Sequence, residues 1–484
     1  MTNPPAAEAA LDVEELRRFT ATFTRFMQEI HLLQPPDGDE ARERVMAHLC
    51  VDPSDVAPVG QEMPPVDRPN LQLAMEHLMA DDPDADCLGL SPELQHYPGF
   101  SFSALLAGRF RGPGDVIPPS YQEFPVGRER TLRCVTMGIW LIHHEGRPAV
   151  VCIEPQRQHE DKHPRLEVFA ADEQTATVVL EEIKALRRRF NVYRGQVLAF
   201  RVNEYGQPAI AFWERPTTTA DDVILADGVL ASIERHAVEI GRRASQLVAA
   251  GQHLKRGLLL HGPPGTGKTH TVGYLMNAMP DRTTVVLEGY SVGALGYAAA
   301  IVRSLSPAML VIEDIDIIAT ARGHYGEPGH PLLFNLLNEM DGLAATDDVL
   351  FVLTTNRADV LEPALAARPG RIDHSVEIAL PGGPERRRLL DLYLSGTAHE
   401  LTNVDAVVER TDGVTASFMK ELVRRAVLVA LERRGDGEGD GEGGVVITDD
   451  HLDTALGELL ESASAVNRSL FGLGGSSGPG GPAP

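Results

Sequence analysis

Apolar residues near the start of the chain return at helical spacing. Leu16, Phe19, Phe23, Phe26, Ile30 and Leu33 recur every three or four positions between Val13 and Leu33, which predicts one helix with a single buried face. From about 34 to 125 the rhythm breaks into short helical pieces such as Leu71–Met79, separated by loops with Pro64-Pro65 and Gly112-Pro113-Gly114. The pattern assigns no fold there, and residues 1–125 read as a helical or irregular region. Residues 126–215 are clearer. Strand-like runs at Leu132–Ile142, Ala149–Ile153, Leu166–Phe169, Gln196–Phe200 and Ala209–Trp213 surround a helix whose one face carries Ala176, Val179, Ile183, Leu186 and Phe190. This predicts a small α+β domain.

Arg215-Pro216 and the threonines Thr217, Thr218 and Thr219 read as a linker. Over 217–381 apolar strands then alternate with helices, the pattern of an α/β parallel sheet covered on both faces. Past Pro381-Gly382-Gly383 the pattern turns helical through 382–467, a helical lid interrupted by a disordered acidic glycine-rich insertion at 435–444. The tail 468–484, rich in Gly, Ser and Pro, has little to bury.

Composition narrows the function classes. The 484 residues are 43% hydrophobic and 23% charged, as in an ordinary globular protein, and the length predicts several domains. A net charge of −25 disfavours binding to nucleic acid or to an anionic membrane, which needs clustered Lys and Arg. The cysteines Cys50, Cys87, Cys134 and Cys152 have neither C-x-x-C spacing nor a zinc-ligand pattern, and they suit a reducing compartment. With no apolar run long enough to span a bilayer, the expectation is a cytoplasmic protein without a membrane partner.

The chemistry concentrates in 217–381. The strand Leu258–Leu260 runs into Gly262-Pro263-Pro264-Gly265-Thr266-Gly267-Lys268-Thr269 and then a helix: a Walker A phosphate loop whose residues, together with His270, are expected to bind the nucleotide. Glycines let backbone N–H groups curl around phosphates, Lys268 reaches the β and γ phosphates, and Thr269 ligates Mg²⁺. About 40 residues on, Met309–Ile312 is a short strand ending in Glu313-Asp314-Ile315-Asp316. This is a Walker B candidate, in which Glu313 holds Mg²⁺ and Asp314 polarises the attacking water. A third strand, Val349–Leu353, ends in Thr354-Thr355-Asn356, where Asn356 could orient that water. Arg368-Pro369-Gly370-Arg371-Ile372-Asp373 then offers two guanidinium groups on a rigid turn for a γ-phosphate.

In this ordered set, with Leu336–Gly342 and Asp412–Ser417 added, the segment from about Asp221 to Leu460 resembles an AAA-family ATPase module of bacterial cytoplasmic type. The resemblance implies ATP and Mg²⁺ as cofactors and Asn356 as sensor 1. It also implies Arg368 and Arg371 acting on the neighbouring subunit's nucleotide, within a homo-oligomer, typically a hexamer, that remodels a protein client. Three departures shape the expectation. Glu313-Asp314 reverses the usual Asp-Glu order and predicts slow hydrolysis. Thr415-Ala416-Ser417-Phe418 replaces the usual Ser-Gly-Ala-Asp, so no nucleotide contact is assigned there. Ala294 stands at the usual pore-loop aromatic position, with Tyr290 and Tyr297 nearby.

Some AAA proteins are membrane-bound zinc proteases with an H-E-x-x-H motif, and His159-Glu160-Asp161-Lys162-His163 matches it. Pro155 and Pro164 bracket the run and disfavour the required helix, so it reads as a charged loop without zinc. The leading expectation is thus an ATP-hydrolysing remodelling ring, and the alternative is an ATP-gated scaffold that does not thread polypeptide.

Overall fold

In the computed structural model the described residues are 40–154, 164–202, 208–288, 295–316, 338–357, 372–434 and 445–462. Positions 92, 95, 96, 98, 99 and 111–113 are excepted, and 19, 22, 23 and 336 are added. The chain divides into two compact units, Met1–Val192 and Tyr193–Pro484. The predicted helix over Val13–Leu33, the insertion 435–444 and the tail 468–484 lie essentially outside the described residues, as do Tyr290, Ala294 and the His159–His163 run.

The first unit holds a seven-stranded antiparallel sheet. Its strands are β1 (Val59–Glu62), β2 (Asp86–Leu90), β3 (Val116–Ile117), β4 (Ser120–Pro125), β5 (Thr131–His144), β6 (Arg147–Ile153) and β7 (Arg165–Ala170), ordered β1-β7-β6-β5-β2-β3 with β4 paired to β5. Helices cover both faces. Trp140, Ile142, Val151 and Val168 pack with Leu71 and Met75 of helix Arg68–Ala80 and Val179 and Ile183 of helix Glu173–Arg189. Ile139, Leu141, Val150 and Cys152 point the other way, onto Val45 of helix Glu40–Leu49 and Phe102 of helix Phe102–Leu106. Because both faces are buried, β5 and β6 read as nearly continuous apolar runs rather than as alternation. Asp172 caps helix Glu173–Arg189 by accepting from Thr175 N at 2.8 Å, and Arg187–Arg189 stand in its last turn, where the helix dipole favours cations.

Two expectations change here. The region before 126 supplies β1–β4 to this sheet, so it is continuous with the strands that follow it. Strands of two to six residues between Pro-rich loops are too short to show a period. The strands near 196–213 leave that domain: β8 (Val197–Val202) and β9 (Pro208–Trp213) form a hairpin on the second unit's sheet. Apolar pattern identifies a strand but not the sheet that it joins.

The second unit's sheet adds β10 (Arg256–His261), β11 (Thr283–Leu287), β12 (Ala308–Ile312), β13 (Val349–Thr355) and β14 (His374–Glu377) in the order β14-β10-β13-β12-β11-β8-β9. All neighbours are parallel except β8 and β9. Helices Gly383–Leu394, Val404–Arg410, Ala416–Arg434 and Asp449–Ser462 form a lid around Leu390, Phe418, Leu422 and Leu456, with a small parallel pair β15 (Ala398–Glu400) and β16 (Val446–Thr448). No described helix is long and apolar enough to cross a membrane.

The amino ends of the central strands are tied by buried charge. Asp348 Oδ1 accepts from Arg256 Nη1 at 2.7 Å while Oδ2 pairs with Arg282, and Arg256 Nη2 also donates to Ala237 O at 2.9 Å. Burial alone would raise the Asp348 pKa, but the two guanidinium groups hold it below the usual range. Removing one partner of such a cluster strands buried charge. Asp348→Ala is therefore expected to cost about 3–5 kcal/mol in urea unfolding; a loss under about 1 kcal/mol would contradict this role.

Candidate nucleotide site

β10 ends at His261, and the chain then turns through residues whose backbone only glycine adopts easily. Gly262, Gly265 and Gly267 have φ of +145°, +77° and +110°. A Cβ on Gly262 would lie 2.2 Å from Ile378 O, so a side chain is excluded there on steric grounds as well. Gly267 sits just before helix Lys268–Ala278, whose first N–H groups lack intrahelical partners and favour an anion. Thr266 Oγ1 donates to Pro263 O at 2.9 Å and pins the loop.

Lys268 is 6% exposed, and its Nζ donates to Gly262 O at 2.8 Å and Pro263 O at 2.9 Å. Burial lowers its pKa, and the carboxylates of Asp314 and Asp316 counter that shift. A buried ammonium inside a glycine loop at a helix N-terminus fits a phosphate group.

The acids stand at the carboxyl end of β12. The Thr269 hydroxyl faces Glu313 and favours its carboxylate form, but burial, followed by Glu288 and Asp314, raises the Glu313 pKa. An oxygen pair from Thr269 and Glu313 is a donor set that suits Mg²⁺, which prefers a few protein oxygens completed by water and phosphate. Asp314 follows at φ +49°, a left-handed conformation unusual for a non-glycine residue. Its N–H donates to Thr354 Oγ1 at 3.0 Å, and its Oδ1 accepts from Asn356 Nδ2 at 3.2 Å.

Thus Lys268, Thr269, Glu313, Asp314 and Asn356 gather on one edge of the sheet. Pro263, Pro264 and Gly265 complete the loop, and His270 turns aside, its Nε2 bonded to Asp222 O at 3.1 Å. Arg368 and Arg371 lie outside the described residues. The structure adds contacts that sequence reasoning passed over. Ser417 N and Oγ both donate to Gly265 O, at 3.1 and 3.2 Å, so the Thr415–Phe418 stretch of the lid touches the phosphate loop despite its altered residues. Asp222–Leu225 run between the two cores, Val223 and Leu225 packing with the sheet and Ile224 with the lid. The alternating in-and-out pattern of Val223-Ile224-Leu225 was the available signal.

Residues 258–380 match the family described as "ATPase family associated with various cellular activities (AAA)". The chain carries an AAA domain. Over 238 residues, 46% of this chain and 35% of the relative, it is 34% identical to the ATP-dependent zinc metalloprotease FtsH of Acidimicrobium ferrooxidans. It is 33% identical over 272 residues, 53% of each chain, to ATP-dependent zinc metalloprotease FtsH 3 of Sphaerobacter thermophilus. The chain therefore spans between about a third and about a half of the length of these relatives. The matched AAA segment contains the phosphate loop, the β12 acids, Asn356 and both arginines, while the β8–β9 hairpin and the Ser417 contact lie beyond it.

If Lys268 is the main cation of the AAA site, Lys268→Ala should weaken ATP binding at least about tenfold, the scale of a lost charge-assisted hydrogen bond of roughly 1.5–3 kcal/mol. Calorimetry giving wild-type affinity would remove Lys268 from the site.

Proposed function

We propose that this chain binds Mg-ATP and hydrolyses it, and that it acts as an oligomeric ring, a hexamer on the AAA pattern, remodelling a protein client in the cytoplasm. The observation that carries the catalytic part is Asp314 bonded to Asn356 beside Lys268 and the Thr269–Glu313 pair.

In this reading the loop N–H groups and Lys268 bind the β and γ phosphates, and Thr269 and Glu313 hold Mg²⁺. Bound there, Mg²⁺ supplies positive charge to the phosphate oxygens. Asp314 accepts the proton of a water as its oxygen attacks the γ phosphorus, and Asn356 orients that water and the carboxylate. The bond to the β-phosphate oxygen breaks, giving ADP and inorganic phosphate. Arg368 and Arg371 reach the same phosphate from a neighbouring subunit. Asp314 is one methylene shorter than a glutamate, which supports slow turnover.

Asp314→Asn should retain ATP binding and lose about 10²–10⁴-fold in turnover, the range of a general base; full turnover would overturn its role. Arg371→Ala should cut turnover about 10³-fold with binding intact. Doping Arg371→Ala subunits into a Lys268→Ala assembly should then recover activity at mixed interfaces. No recovery, or a fully active monomer at high dilution, would contradict the shared site.

Ala294 favours limited pulling over threading, since a methyl group buries little area on a client chain. An aromatic burying about 100 Å² would contribute about 2.5 kcal/mol of grip at 25 cal/mol per Å². ATP-driven unfolding of a recruited fluorescent reporter should accordingly be weak, and robust unfolding abolished by Tyr290→Ala or Tyr297→Ala would defeat this view.

A further inference from the structure

The loop after β12 and the end of β13 are joined by side chains as well as by the sheet. Thr354 Oγ1 accepts from Asp314 N at 3.0 Å, and Asn356 Nδ2 donates to Asp314 Oδ1 at 3.2 Å. Asp316 makes the remaining link. Its Oδ1 accepts from Thr355 Oγ1 at 2.9 Å and from the Asn356 backbone N–H at 3.2 Å. Thr355 Oγ1 in turn accepts from Arg357 N at 3.0 Å, which fixes the turn on the far side of Asn356.

This arrangement gives Asp316 a task distinct from that of the two acids before it. Beyond Thr355 the strand ends and the ladder no longer holds the chain, so the Asn356 amide would be free to swing. One carboxylate oxygen holds both the hydroxyl of Thr355 and the backbone of Asn356 and so fixes the point from which the Asn356 side chain departs. That side chain in turn donates to the carboxylate of Asp314, whose backbone is in the strained positive-φ region. Resting on the ATPase reading above, we propose that Asp316 is a positioning residue for hydrolysis: it sets Asn356, and through Asn356 the Asp314 carboxylate, without itself touching the nucleotide, the metal or the attacking water.

The distinguishing property is hydrogen-bond acceptance rather than charge. Asparagine at 316 keeps an Oδ1 that can accept from both Thr355 and Asn356, whereas alanine keeps nothing. If Asp316 were instead a proton acceptor, Asn would be as damaging as Ala. Misplacing a reacting group by about 1 Å costs on the order of 10²-fold in rate.

The experiment compares steady-state hydrolysis by the full wild-type chain, Asp316→Ala and Asp316→Asn, with binding of a fluorescent ATP analogue to each as the check on folding. The expected result is a kcat for Asp316→Ala lower by about 10²-fold, with analogue affinity within about threefold of wild type and a largely recovered kcat in Asp316→Asn. Asn as inactive as Ala, or wild-type kcat in Asp316→Ala, would overturn the positioning role while the wild-type rate still supports the ATPase reading. A wild-type chain that binds the analogue but does not turn over ATP would overturn both. Loss of analogue binding in Asp316→Asn would also overturn the proposal, because it would put the Asp316 charge in the binding site itself.

Discussion

Every group of the candidate site depends on the parallel register of β10, β13 and β12. Leu260 pairs with Thr354 and His261 with Thr355, while Ile312 pairs with Leu353, so Gly262, Glu313 and Asn356 emerge along one edge. A parallel ladder sends all carboxyl ends the same way, and a one-residue slip would turn every side chain to the opposite face. The apolar runs of these strands favour burial on both faces, and buried charge adds direction. Asp348 with Arg256 and Arg282 ties the amino ends of β13, β10 and β11 together, leaving the opposite edge for polar chemistry.

That opposite edge is where the backbone departs from regular structure. Gly262, Gly265, Gly267 and Asp314 all have positive φ, within the loops after β10 and β12. For the glycines the conformation is easy and lets the backbone approach a phosphate closely. For Asp314 it is unfavourable, and the bonds from Thr354 and Asn356 hold it. The lid is attached to the same loop through Ser417 and to the Asp222–Leu225 segment through Ile224, so a movement of the lid acts on the phosphate loop itself.

The local placement of the candidate groups was legible in the sequence and long-range assembly was not. The Gly262–Thr269 loop, the acids after β12 and Asn356 are short runs at the ends of apolar strands, and the chemistry of each run is complete within a few residues. The order of the strands is set by crossovers, which apolar patterning does not encode. For the same reason Gln196–Phe200 and Ala209–Trp213 could be read as strands yet assigned to the wrong sheet. β1–β4 of the first unit's sheet escaped because they are only two to six residues long between proline-rich loops, whereas β5–β7 were legible as apolar runs. Ser417 reaches Gly265 across 152 positions, and the partners of Asp316 at the end of β13 lie 39 and 40 positions away, beyond any local run.

These groups, brought together on one sheet edge, are proposed to cleave the terminal phosphate of ATP. Single-turnover release of labelled phosphate from γ-labelled ATP, with the full chain in excess and Mg²⁺ present or chelated, tests this most directly. One phosphate should be released per ATP bound, with release lost when Mg²⁺ is removed. Tight ATP binding with no phosphate released, or release that continues unchanged in chelator, would contradict it.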